Sequence, residues 1–337
     1  MTETRTASPF ATTLDYEQDG KQFGHVMLPH SRDESAWGTL MLPIVSVKNG
    51  EGPTILFTGG NHGDEYEGQV ALLKLARALD PAEIKGRVIV IPALNLPASL
   101  DHSRVSPIDG GNMNRAFPGD PGGTMTYKIA SYVQDELIPR ADVVVDIHSG
   151  GKSMNLVPSA VMHALDDPTL MDRTLAAVRD FGAPIGLVLV ELDAGGMLDT
   201  AVEEMGRIFI STELGGGGML TPETVAIAER GVRNMLVHFG LAAGEIERPD
   251  WTSRIMETPE SGAYVPALDE GLYEPFVDLG DEVAAGQAIG QMHFVADPAR
   301  EAVVHHAAAA GLVICRRVPG PTKRGDNLIV VARDYPG

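Results

Sequence analysis

Two glycine-rich loops, each placed directly after a short apolar run, constrain the fold of this chain most strongly. His62 and Glu65 lie in the first loop, which follows the apolar run at 54–57. His148 lies in the second loop, which follows the apolar run at 143–145. Short apolar runs of this kind are typical of buried β-strands. If the two strands belong to one sheet, the three side chains can meet at the carboxyl edge of that sheet.

Two imidazoles and one carboxylate form a three-ligand set for zinc that leaves the fourth position open to water. A catalytic zinc needs such an open position, whereas a structural zinc site is closed by a fourth protein ligand. The alternative is that His62, Glu65 and His148 are ordinary capping or solvated residues beside glycine loops. Their common position after strand ends favours the metal site. The sequence therefore predicts a zinc hydrolase with one Zn2+ per chain.

The segment 54–240 alternates apolar β-type runs with amphipathic helical stretches. Apolar residues at helical spacing predict helices near 70–79, 129–137 and 170–178. Thr221 followed by Pro222 is a typical start of a further helix. Strands are predicted at 55–57, 88–91, 143–147, 187–190 and 208–210. This alternation predicts an α/β fold built on a mixed sheet with helices on both faces.

The pattern changes after about Glu247, where helical spacing gives way to short apolar runs interrupted by glycine. Such a pattern predicts a small β domain with tight turns. The stretch 274–292 resembles half of a biotinyl or lipoyl barrel-sandwich domain, but Lys323 lacks the apolar flanks of a modified carrier lysine. We therefore expect a catalytic domain at 1–248 and a structural β-rich domain at 249–337.

The composition excludes several classes of protein. With 44% hydrophobic and 21% charged residues, the 337-residue chain has an ordinary globular composition. Its formal net charge of -20 argues against a nucleic-acid partner, because binding a polyanion needs clustered lysine and arginine. No run of about 18 apolar residues occurs, so no membrane span is expected. The single cysteine, Cys315, lies in an apolar stretch and is expected in the core. One cysteine and no apolar signal segment indicate a cytoplasmic protein, and a homodimer is expected at this chain length.

A hydrolase of this kind also needs a group that moves protons. Glu213 ends a predicted strand and precedes four glycines, so its carboxylate is expected at the same sheet edge as the metal ligands. It is the candidate general base, which takes a proton from the attacking water and passes it to the leaving amine. The alternative is a loop carboxylate that binds backbone amides. Glu191, at the end of another apolar run, is the reserve candidate.

Candidate substrate-binding residues stand in a loop bounded by glycine and proline. Asn114 and Arg115 place an amide beside a guanidinium, which can bind a carboxylate through two parallel hydrogen bonds. Arg104 is a candidate for the same anion or for polarising the scissile carbonyl, and a surface ion pair is the alternative for both arginines. Asp146 lies two residues before His148 on the same face of the strand. It can fix the tautomer of that imidazole or cap a neighbouring loop.

Together these motifs resemble the succinylglutamate desuccinylase/aspartoacylase family, which has the zinc carboxypeptidase fold. The resemblance extends over nearly the whole chain, because that family also carries a C-terminal β domain beside the catalytic one. It rests on four separated motifs in the expected order: His62-x-x-Glu65, Asn114-Arg115, Asp146-x-His148, and Glu213 in a Thr-Glu-Leu-Gly context.

The resemblance implies roles for particular residues. It implies that the three candidate ligands bind zinc, that Glu213 is the general base, and that Asn114 and Arg115 bind the substrate carboxylate. Arg104 is similar in position to the family arginine that helps to polarise the carbonyl. The chain departs from many relatives at Asn112, where they have an acidic residue before the Asn-Arg pair.

Within the family, the stretches 59–68 and 213–218 are most similar to N-acetyl-diaminobutyrate deacetylases of ectoine degradation. The implied reaction is hydrolysis of N2-acetyl-L-2,4-diaminobutyrate, with Arg115 binding the α-carboxylate and an acidic pocket wall binding the side-chain ammonium. One alternative is deacylation of another N-acyl amino acid, of the aspartoacylase or succinylglutamate desuccinylase type. Carboxypeptidase action on peptides and a non-catalytic zinc module that docks a partner are the others.

Overall fold

A large mixed sheet flanked by helices forms the centre of the protein. The computed structural model describes residues 10–189, 195–259 and 262–337. Within these residues, 15 strands belong to the large sheet and four antiparallel strands form a second sheet.

Most strands in the described residues are short. They are β1 Ala11–Thr12, β2 Gly20–Pro29, β3 Thr39–Asn49, β4 Thr54–Gly59, β5 Gly86–Ile91, β6 Val143–Ile147, β7 Met154–Leu156, β8 Ser159–His163, β9 Ile185–Leu189, β10 Ile208–Glu213, β11 Arg254–Glu257, β12 Tyr264–Pro266, β13 Gly271–Pro275, β14 Glu282–Val283, β15 Ala288–His293, β16 Val303–His306, β17 Gly311–Arg317, β18 Pro321–Thr322 and β19 Asn327–Asp334.

Six α-helices lie within the described residues: α1 Tyr66–Ala78, α2 Leu96–Asp101, α3 Met125–Tyr132, α4 Pro168–Phe181, α5 Leu198–Glu203 and α6 Pro222–His238. The predicted start of α6 is confirmed. Thr221 is its N-cap, and the Thr221 hydroxyl accepts a hydrogen bond from the Thr224 amide at 3.0 Å. Pro222 occupies the first turn, where its missing N–H costs no helical hydrogen bond.

Thirteen strands of the large sheet follow the order β1-β2-β3-β5-β4-β6-β10-β8-β9-β11-β19-β17-β14, and the other two, β12 and β7, pair with β19 and β17. Strand β4 lies between β5 and β6 and is parallel to both. Strand β10 is parallel to β6 but antiparallel to β8. The sheet is therefore mixed, as predicted. Because β4, β6 and β10 run in the same direction, their carboxyl ends lie at one edge.

Apolar side chains of the central strands alternate between two cores. Ile55, Phe57 and Val143 are buried in a cluster with residues of α1, α4 and α6. Leu56 and Val144 are buried in a second cluster with residues of α3 and α5. Successive residues of a strand point to opposite faces of the sheet, so this alternation buries both faces. The prediction of helices on both sides of the sheet is confirmed.

The C-terminal segment is rich in strands, as predicted, and its hydrogen bonds continue the large sheet. Strand β11 pairs in parallel with β9, and β17 pairs antiparallel with β7. Strands β16, β15, β13 and β18 form the second sheet, in that order. The strands after residue 249 are thus joined directly to the part of the sheet that follows β6.

Some elements differ from the sequence-based expectations. Strands β2 and β3 form a long antiparallel hairpin before residue 54, where no element is predicted. The helix predicted at 129–137 consists of α3 followed by a π-helical turn, Val133–Leu137. Val190, predicted as the last residue of a strand, lies outside the described residues, and β9 is described as far as Leu189. In the described part of the chain, no helix is both long enough and apolar enough to cross a membrane.

Candidate metal centre and active site

The two ligand loops begin at the same sheet edge because β4 and β6 are adjacent and parallel. Thr58 of β4 lies opposite Asp146 of β6 in the register of the two strands. The loop after β4 carries His62 and ends at Glu65, which is the N-cap residue of α1. His148 follows directly on the last residue of β6. Local strand order thus brings residues that are more than 80 positions apart to one place.

The carboxylate of Glu65 lies between two imidazoles. Its Oε1 is 2.7 Å from His62 Nδ1, and its Oε2 is 2.8 Å from His148 Nδ1. Each of the three side chains offers one ligand atom, and these atoms all lie within 4.8 Å of one another. All three residues are buried, with at most 6% exposure. The structure therefore brings together the three ligands proposed from the sequence.

The electrostatics of this group favour a negatively charged Glu65. Burial raises the pKa of the Glu65 carboxyl, but the charges and hydrogen bonds of His62 and His148 outweigh burial and lower that pKa. Burial lowers the pKa of the His148 imidazole, but the charges of Asp146 and Glu65 outweigh it and raise that pKa above its ordinary value. An ionised carboxylate and two imidazoles are therefore concentrated at one buried point.

The outer nitrogens of both imidazoles have their own partners. His148 Nε2 lies 2.8 Å from Asp146 Oδ2. His62 Nε2 lies 3.1 Å from Asn112 Oδ1. Thr58 Oγ1 donates to the other oxygen of Asp146 at 2.7 Å. These bonds fix the orientation of both rings, so that each presents Nδ1 to the carboxylate of the central glutamate.

This arrangement fits a bound zinc ion. Two histidine nitrogens and one glutamate oxygen are a ligand set that catalytic zinc sites use. Histidines that bind a metal donate their other N–H to a carboxylate or a carbonyl, which orients the ring. Asp146 and Asn112 occupy those positions here. His62, Glu65 and His148 are thus the residues that could hold the metal.

Glycine permits the close packing of the loops around this group. At Gly63, an added Cβ would lie 2.0 Å from the carbonyl carbon of Ala98, so the first loop contacts the backbone of α2 directly. At Gly216, φ is +135°, and an added Cβ would lie 2.2 Å from the carbonyl oxygen of Met154. A side chain at either position would displace the loop that it belongs to.

A cavity of about 290 Å³ opens beside the histidine pair and contains Glu213 in its wall. Phe209, Ser211 and Glu213 line this cavity from alternate positions of β10, which places them on one face of the sheet. The amide of Leu214 donates to the carbonyl oxygen of His148 at 3.0 Å and joins the ends of the two strands. The candidate base and the candidate metal ligands therefore share one cavity.

The residues proposed to bind the substrate line the same cavity. They are Arg104, Asn114 and Arg115. Arg104 Nη1 lies 3.4 Å from Glu65 Oε1, beside the metal-ligand group. Asn114 Oδ1 accepts a hydrogen bond from the Leu198 amide at 3.0 Å, which fixes the start of α5 against this loop. Two guanidinium groups thus bring positive charge to a cavity next to the His–Glu–His group.

The C-terminal segment supplies part of the cavity wall through Tyr264, Ile314, Cys315, Asn327 and Val330. No sequence pattern assigns these residues to the site, because their strands are joined to the rest of the sheet through long-range pairings, β17 with β7 and β11 with β9. Cys315 is buried, as expected for a core residue. Burial and the charge of Glu213 raise the pKa of its thiol. A protonated thiol is a weak nucleophile, so Cys315 is suited to packing.

The sequence does not predict the contact between Asn112 and His62. Asn112 lies only two residues before Asn114 in the candidate substrate-binding loop, and this position could have indicated that its side chain is near the site. Glu191, the reserve candidate for the general base, lies outside the described residues.

Comparison with known proteins reveals close relatives. The chain is 48% identical over 325 residues to the N-alpha-acetyl-L-2,4-diaminobutyric acid deacetylase of Halomonas elongata. The aligned region covers 96% of this chain and 95% of that protein. The product-bound structure of the ectoine utilization protein EutE of Ruegeria pomeroyi has a TM-score of 0.94 and 46% identity, covering 97% of this chain and 99% of that one. The structure of a succinylglutamate desuccinylase from a Silicibacter species has a TM-score of 0.93 and 45% identity, covering 98% and 100%.

A family model for the succinylglutamate desuccinylase/aspartoacylase catalytic domain matches residues 51–239. This range is more than half of the chain and contains both ligand loops, the Asn114-Arg115 pair and Glu213. The chain therefore belongs to the succinylglutamate desuccinylase/aspartoacylase family.

Proposed function

We propose that this protein is a zinc-dependent deacetylase that hydrolyses N2-acetyl-L-2,4-diaminobutyrate to acetate and L-2,4-diaminobutyrate in ectoine catabolism. The single observation that carries the proposal is the buried His62–Glu65–His148 group beside a cavity that also contains Glu213. The substrate is supported by 48% identity to the Halomonas deacetylase over nearly the full length of both chains. The structural similarity to an ectoine utilization protein supports the same pathway.

The proposed cofactor is one Zn2+ per chain, held by His62, Glu65 and His148. When bound, zinc supplies Lewis acidity, which activates water near neutral pH and polarises a carbonyl group. The protein's part is to hold the three ligands in place. Asp146 does this for His148, and Asn112 does it for His62, through the hydrogen bonds to the outer ring nitrogens.

Glu213 is the proposed general base. Its place at the end of β10, in the wall of the cavity, suits it to take a proton from the attacking water and to give it to the leaving amine. Arg104 is proposed to polarise the acetyl oxygen, and its contact with Glu65 supports a position beside the reacting carbonyl. Together these two residues would provide proton transfer and charge stabilisation from the protein itself.

Arg115 and Asn114 are proposed to bind the α-carboxylate of the substrate. A guanidinium can donate two parallel hydrogen bonds to a carboxylate and thereby fix its orientation as well as its charge. Arg115 Nη1 donates to the carbonyl oxygen of Asn114 at 2.7 Å, so the side chain is already held against its own loop. A substrate held in this way would present its acetyl group to the reacting end of the cavity.

The C-terminal segment at 249–337 is proposed to be a structural domain whose stretch 274–292 forms half of a barrel-sandwich. The antiparallel pairing of β13 with β15 supports this architecture. A boundary at residue 248, a cytoplasmic location and a homodimer are predictions from the sequence.

The proposed function is tested by measuring acetate release from N2-acetyl-L-2,4-diaminobutyrate by the zinc-loaded protein. N-acetyl-L-aspartate and N2-succinyl-L-glutamate, the substrates of the sister activities, serve as controls. We expect kcat/KM for the first substrate to exceed the other two by at least about 100-fold, because a site built for one charge pattern rejects another. Equal or faster turnover of an acidic control would assign the protein to a sister activity within the family.

A further inference from the structure

One acidic side chain lies in the wall of the same cavity without a role in the mechanism above. Asp199, in the first turn of α5, lines the cavity and is buried, with 7% exposure. Its Oδ1 accepts a hydrogen bond from the Thr200 amide at 2.5 Å. Its Oδ2 lies 3.7 Å from His163 Nε2. A buried carboxylate is costly unless a positive or hydrogen-bonding partner compensates for its charge.

His163 contacts a second carboxylate besides that of Asp199. The other ring nitrogen, Nδ1, lies 2.9 Å from Glu203 Oε2, so one imidazole is shared between two carboxylates. Even a protonated imidazole carries only one positive charge. The three side chains of Asp199, His163 and Glu203 therefore keep a net negative charge in either protonation state of the histidine.

Asp199 is held next to the loop that carries the arginine for the α-carboxylate. The Leu198 amide donates to Asn114 Oδ1 at 3.0 Å, and the Phe117 amide donates to the Gly196 carbonyl oxygen at 3.0 Å. The segment that leads into α5 is thus bonded to the Asn114-Arg115 loop at two points, at Asn114 and at Phe117. A basic group and an acidic group are fixed in one cavity by the same contacts.

We infer that Asp199 binds the side-chain ammonium of the substrate and makes the cavity selective for a cationic side chain. This inference rests on the proposed function. A 2,4-diaminobutyrate unit carries a carboxylate on its α-carbon and an ammonium two carbons along its side chain, so it needs one basic and one acidic partner. Arg115 supplies the first and Asp199 the second. The same carboxylate repels the acidic side chain of an N-acyl aspartate or glutamate, which is selection by charge.

The test compares two ligands of nearly the same shape, L-2,4-diaminobutyrate and L-norvaline, which has a methyl group in place of the ammonium. Their dissociation constants are measured by isothermal titration calorimetry with the zinc-loaded protein. A hydrogen-bonded charge pair favours the cationic ligand by at least about 10-fold in the wild type. In Asp199→Asn the dissociation constants of the two ligands should differ by no more than about threefold, whereas Asp199→Glu should still bind the cationic ligand more tightly.

Glu204→Gln is the matched control, because it removes one negative charge from an exposed residue at the end of the same helix. It should keep the wild-type preference. Circular dichroism and zinc content establish that each variant is folded and loaded. The inference is overturned if Asp199→Asn keeps the wild-type preference, or if the wild type prefers neither ligand. Failure of the proposed function shows separately, as absence of acetate release, because the binding comparison does not depend on turnover.

Discussion

Asp146 and His148, two residues apart where β6 ends, are joined by a 2.8 Å contact between Oδ2 and Nε2. Thr58 and Asn61 donate to the same carboxylate at 2.7 and 2.8 Å, and Asp146 is fully buried. Because Nε2 is engaged by Asp146, the ring presents Nδ1 to Glu65. One strand therefore supplies both a proposed metal ligand and the group that orients it.

Asp146→Asn should weaken zinc binding by about 10- to 100-fold, because an amide is a weaker acceptor for the Nε2–H of His148 and allows the ring to turn. Thr58→Val removes one donor to Asp146 but leaves its charge, so a smaller loss is expected. Zinc affinity is measured by competition with a chelator of known affinity. Unchanged affinity in Asp146→Asn would show that the ring is held by other contacts.

Glu65→Gln should abolish stoichiometric metal binding. The substitution removes the negative charge from between His62 and His148, and zinc binds through a deprotonated carboxylate. After dialysis, the wild type should retain about one zinc per chain by elemental analysis and the variant far less. Glu83→Gln, on an exposed turn, is the control and should retain the wild-type content. A fully loaded Glu65→Gln protein would exclude Glu65 as a ligand.

Asp109 should make stability depend on pH in the acid range. Burial raises the pKa of its carboxyl, but hydrogen bonds from Thr126, Thr124 and Gly111 outweigh burial and lower that pKa to about 2. A depressed pKa means that the stabilisation is complete above the unfolded value of about 3.9 and is lost as the pH falls towards 2. Its size is reduced by solvent screening, because the carboxyl is only partly buried.

The measurement compares the free energy of unfolding of the wild type and Asp109→Asn at pH 7 and at pH 2.5. At pH 7 the free energy of unfolding should be about 1 kcal/mol higher for the wild type than for Asp109→Asn. At pH 2.5 this difference between the two proteins should be smaller. A difference that stays constant between the two pH values would mean that the charge of Asp109 contributes nothing.

The sequence predicts the central sheet well because its strands are buried on both faces. A continuous apolar run such as 143–145 is typical of a strand that is buried on both faces of a sheet. The polar residues that directly follow such a strand therefore lie at the edge of the sheet. The N-terminal hairpin escapes prediction because the buried positions of β2, Gly24, Val26 and Leu28, alternate with positions that include the apolar residues Phe23 and Met27. The residue types therefore do not show the apolar–polar alternation expected of a half-buried strand.

The contribution of the C-terminal segment to the cavity could not be predicted from local patterns. Tyr264 and Asn327 reach the cavity because β12 pairs with β19 and β19 with β17, which in turn pairs with β7. Such long-range pairing leaves no periodic signal in one sequence. Asp199 is missed for a similar reason: its helix is placed beside the Asn114-Arg115 loop by hydrogen bonds between distant parts of the chain, from Leu198 to Asn114 and from Phe117 to Gly196.

The most direct test of the account is acetate release from N2-acetyl-L-2,4-diaminobutyrate by the zinc-loaded wild type and by Glu213→Ala. We predict rapid turnover by the wild type and a loss of about 100-fold or more in kcat for the variant, with unchanged zinc content, because the variant lacks the group that moves the proton. Full activity in Glu213→Ala would contradict the assignment of the base. No acetate release by a zinc-loaded wild type would contradict the proposed reaction itself.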